Sequence, residues 1–428
     1  MKKVLGTFLP LYTTTLLMLL GSGLLTTYVS LRLAQEQVSG AMIGGIIAAH
    51  YIGLVIGGKV GHNLIARVGH IRAYVSCAGI ITASVLGHGL TEWLPAWIAL
   101  RLVIGLCMMC QYMVLESWLN DQAEPGQRGT IFGFYMVATY LGLSCGQIIL
   151  MSQAASGSAS LLIVALCFAL CLVPIALTTR TNAQPMSPAP MELSYFFRAI
   201  PRILLITLVT GMAVGAFYGM APVYASLQGF TTRQTGLFMA ITIFAGLVSQ
   251  FPLSWLSDRF NRHRLLCGAA LLYALTTLLL TLPLHLGFLW ITSAAFITSM
   301  TQFSLYPLIV AMANDSVAPE RRVSLTACLL MAFGIGACIG PMITGALMQP
   351  LGGHMLYLFF ALCGAAIAAI SWRRIDVRQE NIESPTPHVA VPDSLASSPL
   401  AVALNPTLDE EEIQAAMSNE NEQASATS

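Results

Sequence analysis

Arg101 and Glu116 are the residues of this 428-residue chain whose setting most directly suggests chemistry, because each interrupts an otherwise apolar stretch from Leu94 to Trp118. An ionisable side chain held away from water is costly, roughly 2.5–3.5 kcal/mol on insertion scales, so it faces a cavity or a partner. The Arg101 guanidinium could bind an anionic group of a solute, couple to a proton, or make a structural bond between helices. Glu116 is a candidate for proton exchange. Its position fifteen residues beyond Arg101 instead favours a salt bridge with Arg67, Arg72 or Arg128. His50, inside another apolar run, is of the type that changes charge near neutral pH, or it could bond a neighbouring backbone carbonyl. Neutral groups that could touch a solute are Tyr28, Gln111, Tyr112, Gln147, Tyr218, Gln250, Gln302 and Tyr306, each of which could equally be packing.

The elements that position these side chains follow from composition. The chain is 56% hydrophobic and 9% charged, with a mean hydropathy of +0.74. Such a chain is solvated by lipid. A membrane helix needs ~20 mostly apolar residues. Charge-free runs, with breaks at 152–160, 283–287 and 350–354, give twelve spans near 8–30, 40–65, 73–91, 94–118, 129–151, 160–179, 203–227, 234–256, 266–284, 287–312, 323–348 and 354–372. The apolar run after Met1-Lys2-Lys3 reads as an uncleaved first span rather than a signal peptide. Lys and Arg are retained on the cytoplasmic side. An inside N-terminus puts all but Arg32, Arg101 and Arg233 there, so both termini are expected to be cytoplasmic.

The chain also repeats itself. At an offset of 192, Gly23, Gly44, Arg67 and Arg72 match Gly215, Gly236, Arg259 and Arg264. At 194, Asn120-Asp121-x3-Pro125-x2-Arg128 matches Asn314-Asp315-x3-Pro319-x2-Arg322, and Tyr112, Gly142 and Gly146 match Tyr306, Gly336 and Gly340. Six spans per unit is an even number, so the two halves are a parallel repeat about an axis normal to the membrane. The organisation expected is an all-α membrane protein: a six-helix half over 1–179, a cytoplasmic linker over 180–199, a second half over 200–374, and an acidic tail over 375–428. That tail holds ten of the nineteen acids and is expected to be disordered, apart from a short helix from the capping box at Thr407 through Met417.

Two six-helix parallel halves joined by a linker resemble the major facilitator superfamily over residues 1 to about 374. Its loop motif, Gly-x3-Asp-Arg/Lys-x-Gly-x-Arg/Lys-Arg/Lys, is similar to Ser254 through Arg264, with Asp258, Arg259, Arg262 and Arg264 in place and Asn261 at a Gly position, as for a left-handed turn. The first half keeps Arg67, Gly69 and Arg72 but has Ala66 where the acid belongs. The resemblance implies that these residues, with Asp121, Arg128, Asp315 and Arg322, form a cytoplasmic gate. Arg101 with Gly105 resembles the family's fourth-span R-x3-G motif. The runs Leu33-Ala34-Gln35-Glu36, Val114-Leu115-Glu116-Ser117 and Tyr218-Gly219-x2-Pro222-x-Tyr224 resemble a poorly characterised enterobacterial subgroup of inner-membrane exporters. The pair Gly-Pro that drug/proton antiporters of this superfamily carry in the fifth span is absent there, where Gln147 follows Gly146.

The resemblance implies a monomeric secondary transporter of the bacterial inner membrane that moves a small organic solute by alternating access, with proton-coupled export as the form expected. A sensor or receptor that kept the fold is the alternative. The sequence offers no Walker phosphate loop for a primary pump, no polar cluster for an enzyme, and no sign of a cofactor or of nucleic acid as a partner. Cys107-Met108-Met109-Cys110 has no histidine or second pair at ligand spacing, so it reads as packing rather than a metal site.

Overall fold

The computed structural model of the protein describes residues 2–123, 127–152, 158–176, 193–282, 287–317, 321–372 and 398. Twelve helices among them are long and apolar enough to cross a membrane. In the first half they are α1 (Lys2–Gln35), α2 (Gly40–Val68), α3 (His70–Leu90), α4 (Leu94–Asp121), α5 (Arg128–Leu150), and the joined pair α6 (Ala159–Leu170) and α7 (Leu172–Ala176). After α8 (Leu193–Ala199), the second half contributes α9 (Pro201–Leu227), α10 (Thr232–Arg259), α11 (Arg262–Thr281), α12 (Phe288–Asn314), α13 (Arg322–Leu351) and α14 (Met355–Trp372). The last seven residues expected as linker thus form a short helix. The helix expected over 407–417 lies outside the described residues.

Every backbone polar group in lipid needs an internal partner, which is why helices carry the whole crossing. Helix direction is read from the places where glycine lets backbones touch. Gly53 of α2 faces the Leu102 carbonyl of α4, and Gly57 faces Leu106, so α2 and α4 run parallel. Gly211 and Gly215 of α9 meet Phe333 and Ala337 of α13 in the same sense.

Contacts between the halves run the other way. Gly40 abuts Gly345, Gly44 abuts Pro341 and Gly334 abuts Val55, so α2 and α13 are antiparallel neighbours across the seam. Gly236 of α10 touches Gln147 and Met151 of α5, while Gly246 touches Tyr140. The face of the bundle where α1 begins and α14 ends is termed the terminal face and its opposite the distal face. The start of α2 and the end of α13 both lie at the distal face, so the two halves are shut against each other there. Small residues allow this because, without a hydrophobic force between helices in lipid, close backbone packing carries association.

Candidate functional site

Arg101 sits about two turns into α4 and is 1% exposed. Its Nη2 donates to Thr26 Oγ1 of α1 at 3.3 Å, while its Nε has no hydrogen-bond partner among the described residues. Gly105, one turn on, lets the backbone of α4 lie against the His50 carbonyl of α2. His50 is buried beside them, with Nδ1 unpartnered among the described residues. Arg101 and His50 come together through the R-x3-G spacing: the glycine removes the side chain that would otherwise hold α2 and α4 apart.

His88 belongs to this neighbourhood and was not among the candidates. It is buried in α3, its Nδ1 bonds to the Ser84 carbonyl at 2.8 Å, and its ring meets Trp97 edge-on at 5.0 Å. Counting only Asp, Glu, Lys and Arg as interruptions hid it, although a histidine in an otherwise charge-free span was a readable signal. Tyr28 lies apart from the other candidates, accepting from Arg32 Nη1 at 3.3 Å near the distal end of α1, where Arg32 also pairs with Glu36 at 2.8 Å.

Glu116 lies toward the terminal face, completely buried. Tyr135 of α5 donates to its Oε1 at 3.0 Å. The backbone N–H of Ser398 donates to both carboxylate oxygens at 3.0 Å, and the Ser398 hydroxyl donates to Oε2. Arg67 and Arg72 are exposed at the α2–α3 turn and do not pair with Glu116. Ser398, within the tail expected to be disordered, is buried against it. A buried carboxylate needs donors, and hydrogen bonds to a charged acceptor are about twice as strong as neutral ones, so these N–H and O–H groups help to hold it.

Between the halves lies a cluster of rings. Phe303 of α12 is 6.1 Å from Tyr140 of α5, 5.6 Å from Phe217 and 6.0 Å from Tyr218, both of α9. Gln302, next to Phe303, is buried with neither amide atom partnered among the described residues, and the same holds for Gln111 of α4 and for Gln250 of α10. Unpaired buried amides are costly and call for water or a ligand. Gln147 bonds the Gly23 carbonyl at 3.0 Å and so ties α5 to α1. Tyr112 and Tyr306 are buried, the Tyr306 ring 5.0 Å from that of Phe333.

The gate residues separate by half. In the second, Arg262 of α11 pairs with Asp315 at 2.6 Å and also reaches the Ala311 carbonyl of α12 at 3.4 Å. Arg259 stacks over Trp255 at 4.2 Å. Asn261 does not adopt the left-handed turn expected of it. Its φ is −58°, and its side chain caps α11 by accepting from the N–H groups of His263 and Arg264. In the first half Gly69 has φ +84°. The side chains of Asp121, Asp258 and Arg322 lie outside the described residues.

Twelve apolar helices in two parallel six-helix halves, with buried polar groups between and within them, define a multi-pass membrane transport protein. The profile of the Major Facilitator Superfamily matches residues 11–304 and 203–408, and the chain belongs to that family. It is 28% identical over 350 residues to a protein of Escherichia fergusonii described as "Uncharacterized MFS-type transporter YcaD", covering 81% of this chain and 90% of that one. The Escherichia coli protein of the same description is 27% identical over the same share. Among solved structures, the nucleoside transporter NupG superposes with a TM-score of 0.75 at 13% identity, over 86% of this chain and 99% of that one. A D-xylose-proton symporter superposes with a TM-score of 0.72 at 16% identity, over 87% and 98%.

Proposed function

We propose that the protein is a monomeric secondary transporter of the bacterial inner membrane that exports a small organic solute by alternating access, coupled to protons. The observation that carries this reading is Arg101, a completely buried arginine of a transporter-family bundle with one guanidinium nitrogen left unpartnered. Such a group, beside His50 and Thr26, suits an anionic substituent of a solute or the passage of a proton. Glu116 is the second titratable group of the path. With both termini cytoplasmic, as the positive-inside rule favours, the distal face is periplasmic and the conformation is inward-facing. Arg262 with Asp315, together with Arg67, Gly69, Arg72, Asp258, Arg259, Asn261, Arg264, Asp121, Arg128 and Arg322, then belongs to the inner gate.

The seat of Ser398 on Glu116 favours a second reading, a sensor that kept the fold, because a residue of the chain itself takes the place a solute or a proton would need. Both readings meet one experiment: proton flux in proteoliposomes, comparing wild type with Arg101→Ala and Glu116→Gln, against organic anions, cationic drugs, sugars and nucleosides. Nucleosides and D-xylose enter the panel because the structural neighbours are named for them. Flux driven by one solute class, lost at least tenfold in either variant, is the expected result. No flux with any class, together with an amide of Ser398 that resists hydrogen exchange in wild type, would replace transport with sensing.

A further inference from the structure

On the second half, α10 and α11 diverge beyond their hairpin and leave a groove of about 530 Å³ over α12. Pro252 and Leu256 form one wall, Leu265, Gly268 and Leu272 the other, and Met300 part of the floor. Three hydroxyls also line it, but each is used up within its own helix. Ser249 donates to the Gly246 carbonyl at 2.8 Å, and Thr301 to Thr298 and Ser304 to Met300 at 2.7 Å. The interior is therefore apolar in effect, with no polar atom offered to a hydrophilic solute.

Its depth and its mouth identify the occupant. From Ser249 to Phe260 is about 16 Å of helix at ~1.5 Å per residue, which equals one leaflet of a hydrocarbon core ~30 Å thick. At the terminal-face end stands Arg264, exposed, its guanidinium without a hydrogen-bond or ion-pair partner among the described residues. On either side the other arginines are engaged, Arg262 by Asp315 and Arg259 by Trp255. Beside the groove, α11 leaves Leu271, Leu272 and Leu275 exposed, so it opens sideways toward lipid.

We propose that this groove is a binding site for one anionic phospholipid of the leaflet at the terminal face, with an acyl chain along Leu256 and Leu272 and the phosphate on Arg264. A basic side chain at headgroup level over an apolar slot between helices is the arrangement that selects anionic lipid over zwitterionic lipid. A water-soluble phosphate ester would leave the slot empty, and a neutral lipid would leave Arg264 unmatched. The site is separate from the buried groups around Arg101 and Glu116. It rests on the bundle spanning a bilayer, not on which solute is moved.

The test is native mass spectrometry of the full chain in detergent, titrated with dioleoyl-phosphatidylglycerol or dioleoyl-phosphatidylcholine, with melting temperature measured in parallel. Wild type is expected to retain phosphatidylglycerol about fivefold better than phosphatidylcholine, the size of effect of one basic residue near a charged surface. Arg264→Gln is expected to erase that preference while still binding both lipids. Gly268→Leu, whose added side chain starts from a position with nothing within 4 Å, fills the slot and should lower binding of both. Equal retention of the two lipids by wild type would overturn the proposal, as would wild-type binding in Gly268→Leu. Stabilisation by inorganic phosphate equal to that by phosphatidylglycerol would show a phosphate site instead.

Discussion

The α2–α3 turn and the α10–α11 turn occupy matching places in the two halves, yet they are held by different physics. In the first half, His70 Nε2 meets Ser117 Oγ of α4 at 3.1 Å, and the imidazole stacks on Trp118. In the second, the position 192 residues on is Arg262, which bonds an aspartate and a carbonyl of α12. A neutral, partly buried hydrogen bond has replaced a charge-assisted one, or the reverse. The half with Ala66 in place of the acid of the loop motif thus has a histidine where the other half has a clamping arginine. Its helices instead gain contact through glycine: α2 lies directly on α4 at Gly53, Gly57 and Gly105, whereas the corresponding place on α12 is Ser299. Among the described residues, these two helix pairs differ: α2 and α4 meet through glycine, and α11 and α12 through an ion pair.

The comparison breaks first at Gly105. Gly105→Leu would drive a side chain into the His50 carbonyl. Backbone cannot give way as a side chain does, so the loss should exceed the roughly 1–3 kcal/mol of ordinary overpacking. No monodisperse protein is expected on size-exclusion chromatography of a fluorescent fusion. A folded variant with wild-type melting would show that α2 and α4 are not locked. Next in size are the clamps. Arg262→Ala should cost about 2 kcal/mol and His70→Ala about 1 kcal/mol, the difference between a hydrogen bond to a charged group and a neutral one. Only the first loss should shrink in high salt. Parallel thermal melts in one detergent decide this, and equal losses would mean the halves are not held differently.

The smallest effects lie in the turns themselves. Gly69→Ala should cost ~1 kcal/mol, because its φ of +84° suits no L side chain well. Asn261→Gly should cost only a few tenths of a kcal/mol, the usual difference between Asn and Gly as a helix cap. A gain of stability in Asn261→Gly would instead place that residue in the left-handed region.

These residues also mark how far the sequence could be read. The spans and the repeat were legible because charge is scarce in lipid, so every interruption is conspicuous, and the match of Asn120-Asp121 to Asn314-Asp315 gave the doubling directly. Arg101 was legible for the same reason. Asn261 was misjudged because a residue type that tolerates a left-handed turn is also a preferred helix cap, and only the backbone angle separates the two. Glu116 was correctly expected to need a partner, but hydropathy gives depth along a helix and not direction around it. It could not show that Arg67 and Arg72 are exposed, nor that Ser398, 282 positions along the chain, is among the donors. The groove beside Arg264 escaped notice because it consists of divergence between helices, which no residue type encodes.

The seam between α2 and α13 has a consequence for movement. Its touching points climb one helix as they descend the other, from Gly40 with Gly345 to Val55 with Gly334, about 22 Å along α2 and about 16 Å along α13 at ~1.5 Å per residue. At the distal end the surfaces in contact are bare main chain, with almost no rotamers to reorder when they separate. If the halves move as proposed, a parting that starts at the distal end and proceeds turn by turn toward Val55 is the one this seam would favour. Opening by such steps spreads a large rearrangement over several small barriers, and its rate would respond most to side chains added near Val55.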